Sequence, residues 1–186
     1  MKRICVFCGS RVGAAPIYAD AARELGRAIA RRGLGLVFGA GHVGLMGVLA
    51  DAVRESGGET IGVIPQSLVE RELAHASLSD LRIVESMHDR KALMASLSDA
   101  FIALPGGFGT LDELFEIMTW AQLRFHAKPI GMLNVNRFFD PLIAWIEHAI
   151  AEDFVKPNNR DLLRVERDAE RLLDSICGED FIIGPK

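Results

Sequence analysis

The sequence predicts an α/β fold: a three-layer, Rossmann-like doubly wound sheet, mostly parallel, in one domain over residues 1–186. Three observations carry this expectation. Short apolar runs alternate with longer segments whose apolar residues recur every three to four positions. The short runs are rich in Ile, Val and Leu without clean alternation, which suits strands buried on both faces. Glycine clusters follow the runs, where the carboxyl ends of parallel strands leave a ligand crevice. Strand–helix alternation then implies right-handed crossovers between parallel neighbours.

Taken in order, residues 3–8 ("RICVFC") form the first strand and 17–32 the first helix. Residues 35–38 ("GLVF") form the second strand, followed by a helix over 45–56. The third strand, 60–64 ("TIGVI"), stops at Pro65 and Gln66, and 67–81 reads as a loop with a short helix. A strand over 82–85 and a helix over 87–97 come next. The strand 100–104 ("AFIAL") is ended by Pro105, and a helix covers 110–124. A strand over 129–134 and helices over 141–152 and 169–176 complete the pattern.

Composition narrows the function classes. The chain is 49% hydrophobic, which suits a packed core, and its net charge of -4 gives no footprint for nucleic acid. Residues 33–50 carry no charge, but six of them are glycine and His42 interrupts them, so a strand, turn and helix start are expected rather than a membrane span. Three cysteines are too few for a disulfide framework. Cys5 and Cys8 spell C-x-x-C without a second pair or nearby histidines, and read as small buried hydrophobes facing opposite sides of a strand. No targeting segment is evident, and a cytoplasmic protein is expected.

Two glycine loops compete as the ligand site. "GAGHVG" (Gly39 to Gly44) matches G-x-G-x-x-G but follows the second strand. The acidic residue at about the right distance, Glu59, stands at the beginning of the next strand instead of its end, which weakens a dinucleotide reading. "PGGFGT" (Pro105 to Thr110) is the better anion site: Gly106, Gly107 and Gly109 free the backbone, and Thr110 opens a helix whose unpaired N–H groups favour negative charge. Asp112, Glu113 and Glu116 follow at once. "TLDE" is also a capping box, in which Thr110 caps the helix and Glu113 reaches back. Leu111, Leu114, Phe115 and Met118 would form the core stripe. The alternative places Glu113 beside the sugar of a bound nucleotide.

"SMHDRKALM" (Ser86 to Met94) supplies cations. Arg90 lies on the apolar stripe of Met87, Met94 and Leu97, and a charge there needs a partner: a structural salt bridge, an anionic ligand or Glu113. His88 reads as a surface or structural residue.

With both segments in view, the chain resembles the Lonely guy (LOG) family of nucleoside 5′-monophosphate phosphoribohydrolases. The resemblance rests on PGG-x-GT-x-x-E at Pro105 to Glu113 and M-H-x-R-K at Met87 to Lys91. "GLMG" at Gly44 to Gly47 and "CVFCGS", "VIPQSL", "TWAQL" and "KPIGMLN" extend it over roughly residues 2–155. It implies that Arg90 and Glu113 are catalytic and that Gly107, Phe108, Gly109 and Thr110 hold the phosphate. Lys91, Glu72 and Thr119 would line the nucleotide site, with Met87, Leu111, Asp112 and Glu116 completing the substrate contacts. It further implies a homodimer or larger oligomer with sites near the subunit contact, and no metal or organic cofactor. Relatives are often labelled lysine decarboxylase, but nothing here marks a pyridoxal-phosphate lysine. Ala40 stands where family members often have a third glycine, and its methyl is expected to have little effect. The segment 75–81 also departs from the family's pattern.

The expected reaction is hydrolysis of the N-glycosidic bond of a nucleoside 5′-monophosphate, giving free base and ribose 5-phosphate. A non-catalytic nucleotide or cofactor carrier is the alternative, and an NAD(P)-dependent oxidoreductase is a third reading.

Overall fold

The computed structural model describes residues 1–69, 75 and 78–178. Seven parallel strands form one sheet: β1 (Arg3–Phe7), β2 (Gly35–Phe38), β3 (Thr60–Pro65), β4 (Asp80–Val84), β5 (Ala100–Ala103), β6 (Ile130–Leu133) and β7 (Leu163–Glu166). Their order across the sheet is β4-β3-β2-β1-β5-β6-β7. The doubly wound parallel sheet expected from the sequence is therefore present. The helices are α1 (Pro16–Arg31), α2 (Gly44–Glu55), α3 (Gln66–Val69), α4 (Met87–Leu97), α5 (Phe108–Gln122), α6 (Asp140–Ala151) and α7 (Ala169–Cys177).

The apolar pattern builds two cores, one on each face of the sheet. Ile4, Val6 and Cys8 pack with Leu25, Leu49 and Leu172, joining the α1, α2 and α7 side. Cys5 and Phe7 point the other way, toward Met94, Leu114, Ile117 and Ile146 of α4, α5 and α6. The strand period of two thus puts Cys5 and Cys8 in different layers, as the sequence implied. Both thiols are buried and free.

β1 pairs with β2 on one side and β5 on the other, with Ile4 opposite Leu36 and Ala100. The chain first winds outward from β1 to β4, then returns through α4 to β5 and winds outward the other way. The crevice between the carboxyl ends of β1 and β5 is the switch point, where ligands bind in such sheets.

Three expectations need correction. β7 was not foreseen. α5 begins at Phe108, two residues before the expected Thr110, with Gly107 as its N-cap and no side-chain cap. The core stripe of α5 is Thr110, Leu114, Ile117 and Ala121, while Leu111, Phe115 and Met118 are only partly buried. Among the described residues, no helix is long and apolar enough to cross a membrane.

Candidate active site

Backbone bonds draw three loops together at the switch point. The Gly9 N–H donates to Pro105 O at 3.0 Å, and the Gly9 carbonyl accepts from Leu45 N at 3.0 Å. The loops after β1 and β5 are thereby joined to the start of α2. Gly106 is demanded by packing, since a methyl there would collide with Thr110 Oγ1.

Gly107 and Gly109 differ. A methyl at either would meet no atom within 4 Å, and neither has positive φ. Every other described glycine has a neighbour within that distance or lies in the left-handed region. Among the described residues, no contact requires these two to lack side chains. The first helical bond of α5 runs from Leu111 N to Gly107 O, so the N–H groups of Phe108, Gly109 and Thr110 precede the hydrogen-bonded turn. Open amides at a helix N-terminus favour negative charge. Phe108, the first residue of α5, is 94% exposed.

Arg90 of α4 and Glu113 of α5 approach each other across the two helices. Ser86 starts α4 with a capping box: Asp89 N donates to Ser86 Oγ, and Ser86 N donates to the Asp89 carboxylate. That fixes the first turn and turns Arg90 inward, where it is 7% exposed. Its Nη2 lies 3.8 Å from Glu113 Oε1 and donates weakly to Gly39 O at 3.4 Å. Its Nη1 faces Met87 Sδ at 3.7 Å. Its Nε is buried, with no hydrogen-bond acceptor among the described residues. Leaving a buried donor unmade costs about 1–3 kcal/mol.

Glu113 is equally unusual. Burial pushes its carboxyl up to about 7, against the lowering pull of Arg90, with Asp112 and Glu116 adding to the rise and Lys91 opposing it. The capping box expected at Thr110 and Glu113 does not form, because Thr110 lies inside the helix and is buried. Glu113 instead lies toward Arg90 of α4. Burial, and then Glu113, also push the Cys8 thiol well up, so it stays protonated.

At Gly39 in "GAGHVG" a methyl would overlap Arg90 Nη2, so Arg90 keeps its present position only with glycine there. Neighbouring Ala40 is buried at φ 63°, in the left-handed region. That conformation costs about 1–2 kcal/mol, offset in part by about 0.8 kcal/mol for its buried methyl.

The remaining expected residues fall into two groups. Met87 borders the Arg90 site and is 43% exposed. Leu111, Asp112, Glu116 and Thr119 instead line an open groove of about 450 Å³ along α5, with Phe115 and Trp120. Thr119 Oγ1 donates within the helix to Phe115 O at 2.7 Å. Lys91 does not stand free for a ligand: its Nζ lies 3.0 Å from Asp112 Oδ2 and 3.1 Å from Glu116 Oε1. Burial would lower its pKa, but these two carboxylates outweigh that and raise it. His88 is exposed. Glu72 lies outside the described residues. Sequence reasoning missed the roles of Gly9 and Gly39, whose partners are remote in the chain. It also missed the capping box at Ser86, signalled by Asp89 three positions on.

Among the described residues, no group of three or more His, Cys, Asp and Glu is arranged to hold a metal ion.

Residues 46–176 match the protein family described as possible lysine decarboxylase. A probable cytokinin riboside 5′-monophosphate phosphoribohydrolase of Oryza sativa subsp. japonica is 49% identical over 97% of this chain and 79% of its own length. The chain belongs to the LOG family. A cytokinin riboside 5′-monophosphate phosphoribohydrolase of Arabidopsis thaliana, also named as a LOG protein, is 46% identical over 94% of this chain and 81% of its own. The molybdenum cofactor carrier protein of Chlamydomonas reinhardtii has a similar structure, with TM-score 0.71 over 95% of this chain and 96% of that one. At 21% identity, that likeness speaks for the LOG fold alone.

Proposed function

We propose that this LOG-family chain hydrolyses the N-glycosidic bond of nucleoside 5′-monophosphates, AMP and cytokinin riboside 5′-monophosphates among them, to free base and ribose 5-phosphate. The observation that carries this reading is the Arg90–Glu113 pair, with Glu113 on the same helix as the open amides of residues 108–110 and about one turn along from them. The amides take the 5′-phosphate, and the carboxylate meets the sugar attached to it. Holding the phosphate also orients the ribose and favours monophosphates over nucleosides.

As the bond from C1′ to the base breaks, positive charge grows on the ribose. Ionised Glu113 stabilises that charge and takes a proton from the water that attacks C1′. The electron pair of the broken bond goes to the base, which is then protonated. The Arg90 guanidinium, 3.8 Å from Glu113, supplies positive charge near the departing base, where negative charge develops. A carboxyl titrating near 7 can give up and regain its proton at neutral pH. A carrier has no use for a buried carboxylate beside an anion, which argues against the cofactor-carrier reading. The glycines of "GAGHVG" are accounted for by contacts within the chain, which argues against dinucleotide binding.

The three free thiols suit a reducing, cytoplasmic setting. We place a homodimer contact along α5 and α6, where half-exposed Trp145 packs edge-on against Phe115. Light scattering tests it.

The deciding experiment incubates the protein with AMP and isopentenyladenosine monophosphate and follows released base by chromatography, with adenosine as control. Base from the monophosphates and little from adenosine is expected. Tight AMP binding without release would establish a carrier instead.

A further inference from the structure

The groups around Glu113 form two rungs between α4 and α5. The inner rung is Arg90–Glu113, at 3.8 Å too long for a hydrogen bond. The outer rung is Lys91, held at 3.0 and 3.1 Å by Asp112 and Glu116, one helical turn apart on α5. Lys91 is next to Arg90 in sequence, and Asp112 is next to Glu113, so the outer rung cannot shift without moving the inner one. Both helices pack on the sheet, α4 over β3 and α5 over β1, and share one core through Met94, Leu114 and Ile117. The ion pairs add a polar tie between them at this end. Lys91 is well placed to do so, since its side chain is only 11% exposed.

We propose that Lys91 is a positioning residue rather than a substrate contact: bound to both Asp112 and Glu116, it holds α4 to α5 and fixes where Glu113 stands relative to Arg90. This rests on the hydrolase reading above. A lysine that gripped the substrate phosphate would need to leave two carboxylates and bring its charge to an anion already cradled by amides. The bridge also tunes Glu113. Arg90 and Lys91 from α4 favour its ionised form, while Asp112 and Glu116 on its own helix oppose it. Cys8, at the end of β1, is a neutral neighbour.

The test compares Lys91→Met, Lys91→Arg and the double variant Asp112→Asn/Glu116→Gln, measuring kcat and KM for AMP across pH. Lys91→Met should lower kcat by at least about tenfold, as misplacement of a reacting group does, with KM little changed. Its acid limb should move to higher pH, because a cation near Glu113 is gone. Lys91→Arg, able to bridge both carboxylates, should restore kcat. The double variant keeps Lys91 yet should lose kcat similarly, with the limb moved to lower pH. A tenfold or greater rise in KM for Lys91→Met at unchanged kcat would overturn the proposal, as would a double variant with normal kcat. If a variant does not fold, the remaining ones decide. If the unaltered protein releases no base, the hydrolase reading fails. The bridge is then judged by ¹³C NMR titration of the Glu113 carboxyl, which must shift in opposite directions in Lys91→Met and the double variant.

Discussion

Replacing Glu113 by glutamine removes a charge from a place where burial disfavours it, and the consequence for stability can be worked out. In the unfolded chain the carboxyl titrates near its ordinary value of 4.5, and in the fold near 7. Its contribution to stability is therefore fully present below pH 4.5 and is lost as pH rises through 7. At about 1.4 kcal/mol per pH unit, the ionised side chain weakens the fold by about 3 kcal/mol once pH exceeds 7. Glutamine keeps the shape and avoids the charge. Glu113→Gln should melt close to the unaltered protein at pH 4.5 and higher by roughly 6–12 °C at pH 8.5, at about 2–4 °C per kcal/mol for a chain of this size. It should also lose at least about 100-fold in kcat, as a residue acting in the transition state does. Differential scanning fluorimetry across pH, with base release measured on the same samples, reads both. A variant that melts lower at pH 8.5, or by an amount independent of pH, would refute the reasoning, for Glu113 would then be supporting the helix rather than straining it.

Arg90→Ala should likewise lower kcat by at least about 100-fold. Gly39→Ala should cost at least about tenfold in kcat with circular dichroism unchanged, because its methyl displaces the guanidinium; normal turnover would remove Gly39 from the account. Gly109→Ala should raise the melting temperature, by up to about 1 kcal/mol of helix propensity, yet raise KM for AMP about tenfold or more, since the methyl enters the space proposed for phosphate. Ala40→Gly should change stability by less than about 1 kcal/mol in chemical denaturation, relief of left-handed strain being offset by the lost methyl and added chain entropy. NADH should show no fluorescence change with the protein.

Six of the seven strands could be read from apolar runs, and α4 falls on its expected bounds. β7 escaped because "LRVE" has two charged residues in four, and as an edge strand it buries only Leu163 fully. Such a strand is held by its neighbour's ladder, which no local pattern announces. The start of α5 was misread because Thr110 and Glu113 fit a capping box in letters, whereas the flexible Gly107–Phe108–Gly109 stretch let the helix begin earlier. Arg90 and Glu113 were legible as candidates from residue type and position. What they do to each other was not, because the burial that lifts Glu113 and the close approach of Arg90 to Gly39 are made by elements distant in the chain. Lys91 shows the same limit: its expected ligand role took no account of two carboxylates brought to it by α5.

Gly9 spends both of its peptide groups on other loops. A loop end bolted on two sides has little freedom left to lose when a nucleotide arrives. Capture should then need no ordering step: association rates should vary weakly with solvent viscosity beyond the diffusional contribution, and the binding heat capacity should match the surface covered, with no added share from chain ordering.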